Sequence, residues 1–219
     1  MSNRLVIDEQ VKHAIGVLKN GGIVAYPTDT VYGLGADPYN ENAVDRIYCI
    51  KKRSRTLALP LLLSDKADLL KVADFVPEMA WKLADSFFPG QLTMVLKKST
   101  SIPDFVTAGG NTIAVRVPDH AVPVALIQGL GCPLVGTSAN ISGMPSPKTA
   151  EKVYQQLGGH ADFIIDGGVC TAGVVSTVID LTGSIPVILR EGAVSMEAIA
   201  KVCGPDLIVE WRSGRASES

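Results

Sequence analysis

The sequence predicts an α/β domain, a single open, twisted mixed sheet flanked by helices. Three observations predict it. Stretches with apolar residues at helical spacing alternate with short runs rich in β-branched residues; some of those runs follow one another with no helix between; and several end in small polar residues and glycine. The 219 residues are 47% apolar, enough for a continuous core. No internal repeat or linker divides them, so residues 5–205 read as one unit and 212–219 as a disordered tail.

In chain order, residues 9–20 place Val11, Ile15 and Leu18 on one helical face, and Gly21-Gly22 supplies a left-handed stop. An opening strand over 22–27 then delivers Thr28, Asp29, Thr30 and Tyr32 at its carboxyl end. Ligands of open α/β sheets bind beyond the carboxyl ends of strands, which makes these four candidate site residues. The alternative is that Thr28 and Asp29 cap a turn. Asn40 caps a second helix with the apolar face Ala43, Val44, Ile47 and Tyr48, closed by the basic run Lys51, Lys52, Arg53 and Arg55. Those cations suit either the helix dipole or an anion site at the connection to the extended run over 59–63.

Helices over 66–73 and 77–87 lead to the turn Phe88-Pro89-Gly90 and a strand over 92–96. The loop Thr107-Ala108-Gly109-Gly110-Asn111 feeds a strand over 112–118, in which Arg116 interrupts an apolar alternation. A charge placed there has to pair or face a cavity, because burying it alone costs several kcal/mol. A structural ion pair with a core carboxylate and a ligand contact are both open. After a helix over 120–129, Thr137-Ser138-Ala139-Asn140-Ile141-Ser142-Gly143 forms a second polar strand end. Pro145-Ser146-Pro147 then precedes a helix bearing Ala150, Val153 and Leu157. Hydroxyls and N–H groups at a helix start can cradle an anion, or Ser146 and Thr149 can simply cap. Strands over 162–166, 174–181 and 185–189, then Arg190 and a helix over 195–203, complete the core.

A net charge of −2 argues against nucleic-acid binding by bulk charge, so any RNA contact has to be local. The cysteines at 49, 132, 170 and 203 are far apart and read as core-type thiols of a reducing cytosol, with neither a zinc site nor a disulfide framework. The longest apolar run, 57–63, is too short to cross a bilayer, and we expect a cytoplasmic protein without membrane contact. The sequence carries no Walker loop, Gly-x-Gly-x-x-Gly, His-Glu-x-x-His or Gly-x-Ser-x-Gly.

Seven stretches, taken in order, resemble the YrdC-like threonylcarbamoyl-AMP synthases. They are 27–35 (Pro-Thr-Asp-Thr-Val-Tyr-Gly-Leu-Gly), Lys51-x-Arg53, Phe88-Pro89-Gly90-x-Leu92-Thr93, Thr107-Ala108-Gly109 with 113–118, Ser138-Ala139-Asn140-x-Ser142-Gly143-x-Pro145-Ser146-Pro147, Asp166-Gly167-Gly168 with Ser176-Thr177-Val178, and Leu189-Arg190-x-Gly192. The resemblance implies a YrdC-like sheet with a basic concave surface and a nucleotidyltransferase that condenses L-threonine, bicarbonate and ATP, with Mg²⁺, into threonylcarbamoyl-AMP and pyrophosphate. That product serves N6-threonylcarbamoyladenosine formation in tRNA through a downstream threonylcarbamoyl-transferase complex. It also implies that Thr28, Arg116 and Ser176 hold threonine, that Lys51, Arg53, Ser138, Asn140, Ser146 and Arg190 surround the nucleotide, that Lys51 and Arg53 are catalytic, and that no residues form a metal site. Two other readings stay open: an RNA-binding module contacting tRNA or double-stranded RNA, and a paralogue handling another carbamoyl-adenylate. The chain departs from the family pattern at Ser54, Gln91 and Val175, and at Leu62, where the family usually has a ligand-facing His. We expect Leu62 to raise the threonine KM.

Overall fold

The computed structural model describes residues 3–170 and 173–204 and the strand at 210–211. The expected tail at 212–219 and the last residue of the expected unit, 205, lie outside the described residues. Helix α1 (Asn3–Lys19) begins at residue 3 rather than the expected 9, because Ile7 continues the apolar face of Val11, Ala14 and Leu18 by another turn. Gly21 stops it at φ 75°.

Strand β1 (Val24–Tyr26) is buried throughout and pairs antiparallel with β2 (Gly33–Gly35). In the sequence those glycines only close the small polar stretch that follows Pro27. They are needed instead for close approach: a Cβ at Gly33 would stand 2.7 Å from the Tyr26 ring, and one at Gly35 2.6 Å from the Val135 carbonyl oxygen. Helix α2 (Glu41–Lys51) starts as expected, with the Asn40 side chain accepting from Ala43 N–H at 3.0 Å.

There follow β3 (Leu61–Leu62), a 3₁₀ turn at Lys66–Asp68, α3 (Leu69–Val72), α4 (Glu78–Phe87), β4 (Leu92–Lys97), β5 (Thr112–Arg116) and α5 (Ala121–Leu130). The chain closes with β6 (Leu134–Val135), β7 (Thr137–Ser138), α6 (Ala150–Leu157), β8 (Phe163–Ile164), β9 (Thr177–Asp180), β10 (Val187–Arg190), α7 (Met196–Cys203) and β11 (Glu210–Trp211). Among the described residues the strands form two mixed sheets rather than one continuous sheet, in the orders β7-β2-β1-β8 and β11-β10-β9-β4-β5-β3-β6.

The split falls at Gly136. Residues 134–135 pair with β3 in the larger sheet and 137–138 with β2 in the smaller, so one extended stretch satisfies backbone groups in both. A Cβ at Gly136 would meet Leu62 at 2.3 Å. The larger apolar cluster gathers Ile47, Leu63, Leu83 and Val115, and a second joins Val11, Leu18, Tyr26, Leu126 and Leu134. Cys170 and Cys203 are buried as core thiols, whereas Cys49 is exposed.

Candidate active site

The link from β1 to β2 is held by its own hydroxyls. Thr28 Oγ1 donates to the Val31 carbonyl at 2.7 Å and accepts from Thr30 N–H at 3.0 Å. A hydroxyl has one proton, so the 2.9 Å contact between the two threonine oxygens runs from Thr30 to Thr28. Thr28 is therefore the clamp of the turn, and Thr30 Oγ1 is left facing Arg116 as an acceptor.

Arg116, at the end of β5, is fixed on every side. Nε donates to the Gly90 carbonyl at 2.7 Å, Nη1 to Thr30 Oγ1 at 3.1 Å, and Nη2 to both Asp29 oxygens at 2.6 Å. Burial pushes its pKa down and the Asp29 carboxylate offsets that, so the guanidinium keeps its charge. The core-carboxylate pairing left open by the sequence is thus formed, with Asp29 as partner. The pair still keeps 9% and 12% of its side-chain surface, so solvent touches it.

The second group lies on the neighbouring strands. Ser176 Oγ meets Thr93 Oγ1 at 2.8 Å, while the Ser176 carbonyl accepts from Arg190 Nε and Nη2 at 3.2 and 3.0 Å. Gln91 connects it to the first group: its side-chain N–H reaches the Asp29 carbonyl at 3.2 Å, and its own carbonyl accepts from Thr177 N–H. Burial and then the charge of Arg116 lower the Arg190 pKa, so the two guanidiniums share one electrostatic environment. A second cation beside the Arg116–Asp29 pair leaves positive charge in excess, which favours an anion.

Lys51 is in a different situation. It has no exposed surface, and its ammonium donates to the Ser138 carbonyl at 2.5 Å, the Asn140 carbonyl at 2.8 Å and Asn140 Oδ1 at 3.3 Å. Asn140 in turn donates to the Ile141 and Met144 carbonyls, and Ser142 N–H bonds the Lys51 carbonyl. Burial, with a smaller push from Arg53, takes the Lys51 pKa down to about 7. The expectation of a cation presented to phosphates does not describe Lys51 in this structure: three acceptors occupy its three donors, and it orders the 138–144 segment.

Arg53 is half-buried, with Nη2 on the Ala58 carbonyl at 3.1 Å. Ser146 lies between Pro145 and Pro147, whose carbonyls accept from Gln156 and from Tyr32 N–H. Thr149, rather than Ser146, caps α6. Through Tyr32 the segment from 137 to 147 is tied to the turn that carries Thr30, since Tyr32 also accepts from Ala139 N–H.

Leu62 is not a vacancy in a ligand pocket. It stands opposite Arg116 in the β3–β5 register, but its side chain is buried in the second apolar cluster and fills the space over Gly136. Sequence reasoning passed over Gln91 and Thr93 as site groups. Thr93 had a readable signal, a hydroxyl inside an apolar strand run. Gln91 stands out in the sequence only as a departure from the family pattern, and its bridge to Asp29 is one that a proline could not make.

The Sua5/YciO/YrdC family model, described as "Telomere recombination", matches residues 16–192. The chain is 45% identical over 195 residues to a threonylcarbamoyl-AMP synthase of Pyrococcus abyssi, covering 89% of this chain and 57% of that protein. It therefore spans under three-fifths of that relative's length. Among solved structures, P. abyssi Sua5 complexed with L-threonine superposes with a TM-score of 0.87 at 44% identity, covering 91% of this chain and 58% of that one. E. coli YciO gives a TM-score of 0.80 at 30% identity, with 91% and 94% of the two chains covered. With the family model spanning most of its length, this chain belongs to the Sua5/YciO/YrdC family.

Proposed function

We propose that the chain is an L-threonylcarbamoyladenylate synthase, a nucleotidyltransferase that condenses L-threonine, bicarbonate and ATP into threonylcarbamoyl-AMP and pyrophosphate, with residues 5–205 as the working unit. The observation that carries the reading is the pair of guanidiniums, Arg116 and Arg190, gathered with the Thr30, Thr93 and Ser176 hydroxyls in one partly accessible site. A carboxylate and a nucleotide phosphate are the anions such a site suits. The relatives support the choice, since the P. abyssi proteins carry the synthase name and one was solved with L-threonine.

In this reading Arg116 holds the threonine carboxylate, Ser176 lines the same pocket, and Thr28 fixes the turn that aims Thr30 at Arg116. Arg190 serves the nucleotide side. Lys51 acts through the 138–144 segment, shaping Ser138 and Asn140 for the nucleotide, with Arg53 and Ser146 at its borders. The side-chain partners of the Thr30, Thr93 and Ser176 hydroxyls are other hydroxyls and guanidiniums, with no base among them to activate a nucleophile, which favours positioning and charge stabilisation over a covalent intermediate on the protein.

Among the described residues no three His, Cys, Asp or Glu side chains gather to hold a metal ion. We assign Mg²⁺ to the triphosphate, where it would neutralise phosphate charge as the nucleotide enters. We place the protein in the cytoplasm, handing its product to a tRNA-modifying transferase complex. Among the described residues no helix is long and apolar enough to cross a membrane.

The test is pyrophosphate release with ATP, Mg²⁺ and bicarbonate, with and without L-threonine, and mass detection of the adenylate. Release that requires threonine, together with the adenylate mass, is the expected result. Release without threonine, or none, removes the assignment.

A further inference from the structure

The Asp29–Arg116 pair carries an inference that rests on the amino-acid substrate proposed above. The two partners are not held alike. Arg116 is anchored by Gly90 and Thr30 as well as by Asp29, so its plane is set before a ligand arrives. The Asp29 backbone is fixed on both sides, its carbonyl by Gln91 and the next N–H by Thr28 Oγ1. Its carboxylate, by contrast, is tethered at a single nitrogen: among the described residues both oxygens accept only from Arg116 Nη2. Rotation of one side chain is enough to release it.

A substrate carboxylate arriving at Arg116 competes with Asp29 for Nη2. With Arg190 given to the nucleotide, two carboxylates on the one guanidinium of Arg116 leave an uncompensated negative charge, which a site with this little exposed surface penalises strongly. An α-amino acid brings the remedy with it, because its ammonium is bonded to the carbon that bears its carboxylate. We propose that Asp29 binds the α-ammonium group of the amino-acid substrate, so that the resident Asp29–Arg116 pair opens into two pairs, Arg116 with the substrate carboxylate and Asp29 with the substrate ammonium. The Asp29–Arg116 pair is neutral before, each of the two new pairs is neutral after, and neither partner is left alone. Asp29 is then a specificity residue, selecting a zwitterion over a plain carboxylic acid.

Titration calorimetry of the full chain with L-threonine and with 2,3-dihydroxybutanoate, which keeps the carboxylate and replaces the ammonium by a hydroxyl, tests this. The wild type should prefer threonine by about tenfold or more, the worth of one charged hydrogen bond. Asp29→Asn should weaken threonine about ten- to a hundredfold while the hydroxy acid binds as before or tighter, because its competitor for Arg116 has gone. A folded Asp29→Asn protein that keeps the threonine preference overturns the inference. So does a wild type that binds the two ligands equally, a comparison that needs no variant to fold. If the wild type binds neither ligand, the substrate reading itself falls, and this inference with it.

Discussion

Arg116 and Lys51 are both buried cations at strand and helix ends, yet the structure uses them in opposite ways. Arg116 answers a carboxylate, Asp29, at an edge that solvent touches. Lys51 answers carbonyl and amide oxygens and has no exposed surface. A side-chain carboxylate tethered at one point can be exchanged for a ligand's, whereas backbone carbonyls built into a turn cannot leave. The comparison separates a cation whose partner is exchangeable from one that shapes the walls around it.

The largest effect should follow Arg116→Ala. It strips the Asp29 carboxylate of its partner, and breaking a buried pair costs roughly 3–5 kcal/mol. Where the variant stays folded, threonine affinity should fall about ten- to a hundredfold and ATP affinity stay within about twofold, read by calorimetry beside a thermal melt. Adding Asp29→Asn should recover part of the lost stability, as a double-mutant cycle would report. No recovery would mean that Arg116 stabilises the fold through Gly90 and Thr30 rather than through its charge partner.

Lys51→Met should come next, and as a loss of stability before anything else. Three oxygens lose their donor at about 1 kcal/mol or more each, and for a chain of this size about 3 kcal/mol lowers Tm by roughly 6–12 °C. The nucleotide should weaken and threonine should not. An unchanged Tm with lost ATP binding would return Lys51 to the role of a phosphate contact.

Leu62→His tests whether the neighbour of Arg116 is pocket or core. Placing an imidazole in the apolar cluster over Gly136 should cost roughly 1–3 kcal/mol and leave the threonine KM no lower than in the wild type. A lowered KM with an unchanged melt would instead reinstate the ligand-facing role expected from the sequence.

The role of Lys51 is also readable as a pH slope. Burial holds the Lys51 pKa at about 7, below its ordinary 10.5, so between those values the unfolded chain binds a proton that the folded chain has released. Stability from this group therefore rises as pH climbs from about 7 toward 10.5 and is flat below that window. The Tm difference between wild type and Lys51→Met should widen on the alkaline side. A difference independent of pH would mean that the three oxygens keep the ammonium protonated throughout.

Much of the architecture was legible because it depends on local rules. Asn40, Gly21 and the apolar faces of α2, α5 and α6 mark helices by spacing and capping, which neighbouring residues decide among themselves. Arg116 was legible as an anomaly, since a charge within an apolar strand needs a partner somewhere. Its partner was not, because Asp29 lies far away in the chain and only the packing of two sheets brings them to 2.6 Å.

The same limit explains what the sequence misplaced. Gly33 and Gly35 only close a small polar run until the Tyr26 ring lies against them, and the stretch through Gly136 looks like one strand end until its two halves pair with different sheets. A basic run at the end of α2 gives no sign of which cation points inward. The sequence by itself determined the helices and the set of polar residues available for chemistry, since composition and spacing suffice for those, and its seven ordered stretches carried the family resemblance. Only the tertiary structure decided that Lys51 would be a buried clamp and Arg116 the cation within reach, because burial and the identity of a partner are properties of residues that the chain has brought together from a distance.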